Sequence, residues 1–342
     1  MAAFMALGFV LTLALTFLMP QNRYVRYQQA RDSIMFHAQW IYERTRYDPT
    51  QIDVAIVGSS RLEAGVSPSI LSQALSEQLQ RPVRVANLSL VRPGRDFTYE
   101  VVKDLLESHS EVKLIVLAND GEQVDSHPLF KSVADCGDIL RAPILLNTKY
   151  FVNLFYLPYR NISYSAQTLL PWAFGVRSGF DRKRYLGADL DRTFGYKTPT
   201  GEMVNGDRGS TETELKSSGR EVVAKQVRDM RLFHLLPADE ADAVDRTYVR
   251  RIYALASSRG VRVAFFSIPM YGPDQLPNDA RFYQQFGPVI SVADLSLQAK
   301  YYANGGHLNR SGAVVATGRL GAALASYLKL GPQSLSNGRT SP

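Results

Sequence analysis

Two short stretches carry the residue types that acyl chemistry needs. Val54-Ala55-Ile56-Val57 runs into Gly58-Ser59-Ser60-Arg61, and Tyr302-Ala303-Asn304-Gly305-Gly306-His307 runs into Leu308-Asn309-Arg310-Ser311-Gly312. In the first, a hydrophobic run delivers a Gly-x-Ser turn. Glycine permits a tight turn, and a helix starting there aims backbone N–H groups and a positive dipole at an oxyanion. In the second, an imidazole stands between a last strand and a last helical pattern. A histidine brought beside Ser60 takes the hydroxyl proton as general base and returns it to a leaving group, the logic of serine hydrolases. Serine after glycine at a strand end also serves as a plain cap or turn residue, so His307 is what gives Ser60 its chemical reading. His37, His109, His127 and His234 fall in helices or polar loops, where surface or structural roles are expected.

Other chemistries lack their signatures. There is no G-x-x-x-x-G-K-[ST] loop, no G-x-G-x-x-G after the first strand, no H-E-x-x-H and no C-x-x-C, which argues against nucleotide and zinc enzymes. No metal and no dissolved cofactor is expected. Cys136 is the only cysteine, so a disulfide within the chain is impossible. Lysine and arginine number 39 against 32 acidic residues, and the excess concentrates between Arg141 and Arg231, with 15 basic and 9 acidic residues and the run Arg182-Lys183-Arg184. That stretch suits an anionic polymer or lipid headgroups, or equally a solvated loop surface. It lacks the density and aromatic spacing of a nucleic-acid groove, so nucleic acid is excluded as a partner.

The elements that must position Ser60 and His307 follow from hydrophobic patterning. Of the 342 residues 45% are hydrophobic, ample for a folded core. Five β-branched runs read as buried parallel strands: Val54 to Gly58, Val83 to Leu90, Leu114 to Asn119, Val261 to Ile268 and Val289 to Leu295. Helices fit between them. Ser67 caps one with Pro68 at its first position and Ile70, Leu71, Ala74, Leu75 and Leu79 on one face. Stripes at helical spacing follow at Ala241, Val244, Tyr248, Ile252 and Leu255, and at Ala313, Ala316, Leu320, Ala323 and Tyr327. Strand alternating with helix implies an open parallel sheet with helices on both faces, and such sheets bind ligands at the carboxyl ends of their strands. From about Asp125 to Asp239 the alternation breaks into aromatic, proline and glycine punctuation, read as an insertion that forms either a substrate wall or a packed subdomain. Residues 331–342 have the composition of a disordered tail.

The first 22 residues carry no charged side chain, and Ala2 to Leu18 is almost wholly apolar. At about 1.5 Å per residue such a helix nearly crosses a bilayer core of about 30 Å. Phe17-Leu18-Met19-Pro20 follows where a cleavage site would need small residues, so 1–22 is expected to be an uncleaved membrane anchor. Residues 23–51 then read as a juxtamembrane helix or linker, with Tyr24, Tyr27, Trp40, Tyr42 and Tyr47 among Arg23, Arg26 and Arg31, a composition suited to the headgroup region. The three arginines after the anchor would place the rest of the chain in the cytoplasm by charge bias alone, unless a large domain is exported regardless.

The order of these motifs resembles the SGNH/GDSL hydrolase superfamily, in particular its membrane-anchored branch that acylates bacterial envelope polysaccharides and teichoic acids. The resemblance spans about residues 52–328, within a domain expected over 52–330, apart from the insertion at about 125–240. It implies a three-layer α/β/α, flavodoxin-like domain with a five-stranded parallel sheet. Ser60 matches the family's nucleophile turn, and Asn87-Leu88-Ser89 with Gly94 resembles the second block, whose glycine N–H serves the oxyanion hole; Ser89 is the other candidate for that glycine's place. Ala118-Asn119-Asp120 resembles the third block, making Asn119 a side-chain oxyanion donor. His307-Leu308-Asn309 resembles the fourth, with His307 as base. Arg61, beside Ser60, joins Asn119 and Gly94 as a substrate-side candidate. Where the family has an aspartate three residues before the histidine, this chain has Asn304, an amide that orients an imidazole without stabilising its cation by charge. A backbone carbonyl or Asp294 is an alternative orienting group.

The resemblance further implies an acyltransferase in the bacterial inner membrane with its domain in the periplasm. It would O-acetylate an envelope or secreted polysaccharide with a membrane-bound protein as acyl donor. An esterase or deacetylase using the same site, and an inactive polysaccharide-binding or assembly protein, are the alternatives.

Overall fold

A computed structural model describes residues 4, 14–92, 94–119, 126–145, 147–218, 243–273, 276–277 and 279–329. Strands β1 (Val54–Val57), β2 (Val85–Asn87), β3 (Leu114–Ala118), β6 (Arg262–Ser267) and β7 (Val289–Ser291) form one parallel sheet in the order β2-β1-β3-β6-β7. Two antiparallel hairpins stand apart from it: β4 (Gly195–Lys197) with β5 (Met203–Asn205), and β8 (Tyr302–Asn304) with β9 (His307–Leu308).

Every residue of β1 and β3 is buried, as a strand covered on both faces requires. Alternation divides their side chains between two layers. Ala55, Val57, Ile115, Leu117, Val263 and Phe265 face α2 (His37–Arg46), α5 (Arg95–Ser108) and α7 (Ala243–Ser257). Val54, Ile56, Leu114, Val116, Ala264 and Phe266 face α4 (Pro68–Leu79) and α8 (Arg310–Lys329). The result is a three-layer α/β/α architecture. Ser67 caps α4 by accepting a hydrogen bond from Ile70 N at 3.2 Å, with Pro68 at the first position where its missing N–H costs nothing. Because β2 and β3 flank β1 on opposite sides, the winding reverses at β1, and open parallel sheets bind ligands at such a reversal.

The strands are shorter than the hydrophobic runs that mark them. The run Val83 to Leu90 pairs only over Val85–Asn87, and Val289 to Leu295 only over Val289–Ser291, with Ala293–Leu295 turning as a 3₁₀ segment. Beyond Asn87 the segment still donates to the first strand, Leu88 N to Ile56 O at 2.8 Å and Leu90 N to Gly58 O at 2.9 Å, while the Asn87 amide itself bonds backbone of the next layer.

The N-terminal region corrects the membrane reading. Most of residues 1–22, the expected anchor, lies outside the described residues, and among those described no helix is long and apolar enough to cross a membrane. The decisive observation is where the following residues go. Arg23 to Tyr27 form α1, and Tyr24, Tyr27, Trp40 and Tyr42 are buried in the same core layer as α5. Arg23 bonds Glu100 at 2.9 Å, Asp104 at 3.0 Å and Asp135 at 3.0 Å, and Tyr27 donates to Asp104 at 2.6 Å. Aromatics and arginines at headgroup spacing here serve the protein interior, because carboxylates of α5 meet them. The inner-membrane location, the periplasmic orientation and attachment through an N-terminal helix are accordingly withdrawn. The tail 331–342 and the C-terminal end of the expected insertion, 219–242, lie outside the described residues.

Candidate active site

Ser60 is positioned by two glycine-dependent approaches. A Cβ on Gly58 would stand 2.5 Å from Ala118 Cβ and 2.9 Å from Leu62 Cδ1, so only glycine lets the end of β1 lie against the end of β3. Ser59 then caps α3 (Ser60–Gly65), its hydroxyl accepting from Arg61 N at 3.2 Å, which leaves Ser60 as the first helical residue. The far end of α3 is held by Asn87, whose amide donates to Leu62 O at 2.8 Å and Val66 O at 2.7 Å. A Cβ on Gly65 would meet Ile268 Cδ1 at 2.5 Å, so α3 sits directly on the core.

His307 comes from the β8–β9 hairpin, 247 residues along the chain. Buried Tyr302 anchors β8 by donating its hydroxyl to Pro269 O at 3.2 Å, and Leu308 of β9 is buried beside it. The hairpin brings His307 Nε2 to 2.8 Å from Ser60 Oγ, and His307 Nδ1 to 2.9 Å from Asn304 Oδ1.

The proton positions follow from the network. Asn304 Oδ1 also accepts from Gly306 N at 2.9 Å, and a backbone N–H can only donate, so the atom facing Nδ1 is an acceptor. Nδ1 therefore carries the hydrogen, and Nε2 presents its lone pair to the Ser60 hydroxyl. That is the tautomer a general base needs. The arrangement is Ser–His–Asn, with no Ser–His–Asp triad: Asn304 orients the ring and sets its tautomer but contributes no negative charge. Asp294, the alternative orienting group, is on the surface and bound to Arg319 at 2.5 Å.

The remaining candidates are placed less directly. Asn119 is buried just past β3, its N–H donating to Phe266 O at 2.9 Å. Asp120 lies outside the described residues. Gly94 precedes α5, and a Cβ there would stand 2.2 Å from His127 Cβ, so packing alone demands this glycine. Arg61 lies within electrostatic range of Tyr302, whose phenol burial pushes up in pKa against the pull of that guanidinium. Asn119, Gly94 and Arg61 are not among the residues lining the cavity that holds Ser60 and His307.

That cavity has a volume of about 500 Å³. Ser60, Asn304 and His307 occupy one wall, and Arg192, Gly195, Tyr196 and Asn205, from the β4–β5 hairpin and its approach, another. Its floor holds an ion pair with no advance sign in the sequence: Arg192 donates to Glu63 Oε1 at 2.8 Å and to the carbonyls of Asn87 at 3.0 Å and Ser89 at 2.7 Å. His37 Nδ1 lies 3.5 Å from the same Glu63 oxygen, and burial lowers its pKa. Glu63 stands one helical turn after Ser60, a spacing that does place both on one face of α3. Arg192 is 129 residues from Glu63, and no local pattern announces it.

One acidic group elsewhere has the spacing of a cation site. Oxygens of Glu100, Asp135 and Asp138 lie within 4.8 Å of one another. Lys103 bonds Asp135 at 2.8 Å and Asp138 at 2.7 Å, and Arg23 bonds Glu100, so side-chain cations already neutralise it.

No protein-family model matches the chain, and no curated protein matches it. The assignment to the SGNH/GDSL superfamily is therefore withdrawn: four blocks of two to four residues, in order, do not amount to a family-level match. The envelope-polysaccharide acceptor and the membrane-bound acyl donor rested on that assignment alone and go with it. So does the membrane-anchored acyltransferase reading.

Proposed function

We propose that the chain is a serine-dependent ester hydrolase whose nucleophile is Ser60. The observation that carries this is the 2.8 Å separation of Ser60 Oγ and His307 Nε2 on the wall of a cavity, with the histidine tautomer set for proton uptake. Ser60 Oγ attacks the ester carbonyl carbon as its proton passes to His307 Nε2, giving a tetrahedral oxyanion and an imidazolium. The alkoxide leaves and takes that proton, and the acyl group stays on Ser60. Water then attacks the acyl-enzyme, giving its proton to His307. The free acid departs as Ser60 Oγ recovers the proton.

The Ser60 N–H, in the first turn of α3 where no intrahelical acceptor exists, is the main-chain candidate for holding the oxyanion. Asn304 replaces charge stabilisation of the imidazolium with orientation alone. A slow enzyme is expected, since in one serine protease the loss of that charge lowers turnover by about 10⁴.

A fluorophosphonate probe tests the reading. Purified protein should be labelled at Ser60, with labelling abolished in Ser60→Ala and strongly reduced in His307→Ala while both variants keep the wild-type melting temperature. Unlabelled folded protein at neutral pH would overturn it.

A further inference from the structure

The cavity's charge is one-sided in a way the hydrolytic machinery does not use. Arg92, Arg192 and Arg208 all line it. Among the described residues that line it Glu63 is the one acid, and Arg192 answers it in a buried pair at 2.8 Å. The pair is neutral as a unit. Arg92 and Arg208 are left as surplus positive charge, and among the described residues neither guanidinium hydrogen-bonds or ion-pairs with an acid. The nearby carboxylates are engaged elsewhere: Asp207 faces Arg310 at 3.4 Å, and Asp191 accepts from Ser69 at 2.6 Å and Thr193 at 2.6 Å. Glu214 lies within electrostatic range of Arg208 on the exposed side.

Around these charges the wall is apolar or aromatic, with Ile34, Val91, Tyr196 and Val204. A concave, partly apolar site with a small number of charged groups orients a ligand by its charge and holds it by its body. Guanidinium groups in such a setting form charge-assisted, often bidentate hydrogen bonds to carboxylates and phosphates.

We infer that this site takes esters bearing a carboxylate or phosphate group on an apolar body, the anion being received by Arg92 and Arg208 while Ser60 meets the ester carbonyl. The inference rests on the hydrolase reading for its reaction and on the cavity's charge for its specificity. Arg92 and Arg208 are here substrate-positioning residues that take no part in the proton transfers.

The test compares 4-acetoxybenzoate with its uncharged methyl ester, methyl 4-acetoxybenzoate. Two measurements are made: hydrolysis by wild-type protein, and equilibrium binding to Ser60→Ala by titration calorimetry. The charged ester should show a KM and a Kd at least about tenfold lower, the range of a charge-assisted hydrogen bond. The advantage should shrink as salt rises from about 0.05 to about 0.5 M, where screening shortens to a few ångströms. It should collapse in Arg92→Gln/Arg208→Gln, with each single variant giving part of the loss and circular dichroism checking the fold. Equal binding of the two esters overturns the inference, and Ser60-dependent hydrolysis of the methyl ester would then leave the hydrolase reading standing. A retained preference in the folded double variant overturns the assignment to these arginines. Anion-selective binding with no turnover of either ester supports the anion site and removes the hydrolase reading instead.

Discussion

His127 and His307 have opposite tautomers and opposite surroundings. His127 Nδ1 accepts from Leu129 N at 3.1 Å, which makes Nε2 the protonated nitrogen, donating to Val91 O at 3.2 Å. The ring is buried, stacked on Phe97 at 4.6 Å between centroids, and burial pulls its pKa down to about 4. His307 carries its hydrogen on Nδ1 and turns Nε2 to a hydroxyl at the edge of a cavity. Both nitrogens of His127 end on backbone, which neither gives up nor takes a proton, so the ring acts as a strut between the segments after β2 and β3. One nitrogen of His307 ends on a group whose proton can move. What separates a structural imidazole from a basic one is the chemistry of its partners and its access to solvent, since both rings are equally well hydrogen-bonded.

Three variants break or sharpen that contrast. The largest effect is expected from His307→Ala, which should lower kcat/KM for a neutral aryl ester by about 10²–10⁴, the range for loss of a general base, with little change in melting temperature. A variant that melts early but hydrolyses normally once folded would make His307 another strut.

The next is His127→Gln, read through the slope of stability with pH. The folded pKa of His127 lies below its ordinary 6.5, so between about pH 6.5 and pH 4 the unfolded chain binds more protons than the native one. The stabilisation is fully present above pH 6.5 and is lost as pH falls toward 4. A shift of this size corresponds to about 3 kcal/mol. Buried Asp96, whose pKa burial raises to about 6, works in the opposite sense over the overlapping range, so the difference between wild type and variant isolates the histidine. Urea denaturation at pH 6.5 and pH 4 should show wild type losing about 3 kcal/mol more than His127→Gln. Parallel curves would mean that His127 is charged in the native state.

The smallest effect is expected from Asn304→Asp. A carboxylate keeps both acceptor bonds, to Gly306 N and to His307 Nδ1, and adds charge beside the imidazolium. Turnover should rise about tenfold, less than the full triad effect because Asn304 is exposed and water screens it. Unchanged turnover would show that proton transfer does not limit the rate, and the steady state and burst phase would distinguish deacylation from acylation.

Much of the scaffold is legible in local sequence. Each of the five hydrophobic runs contains a sheet strand, because a strand covered on both faces must be apolar throughout, although β7 lies at the sheet edge and is half-buried to exposed; the Ser67-Pro68 start of α4 is visible because capping depends on neighbouring residues only. The Gly58-Ser60 and Asn304-His307 segments stood out for the same local reason. The segment 23–51 is ambiguous in sequence, because tyrosines and arginines suit a headgroup layer and a carboxylate-lined interior equally well, and the partners Glu100, Asp104 and Asp135 are about 80 to 110 residues distant. Glu63 and Arg192 were missed on the same ground. At Gly94 the space taken by His127 supplies a packing reason for glycine that no neighbouring residue announces.

By itself the sequence determined which segments are strands and helices of the three layers, and that a hydroxyl stands at the end of the first strand; the β8–β9 hairpin that carries His307 has no sign in the hydrophobic pattern. Tertiary structure alone decided that Ser60 and His307 meet at 2.8 Å, that Asn304 sets the tautomer, and that three arginines and one glutamate share their cavity. Periodicity and capping are written in residues within a few positions of each other, whereas a proton path or a charge pair depends on distances set by the packing of segments more than a hundred residues apart.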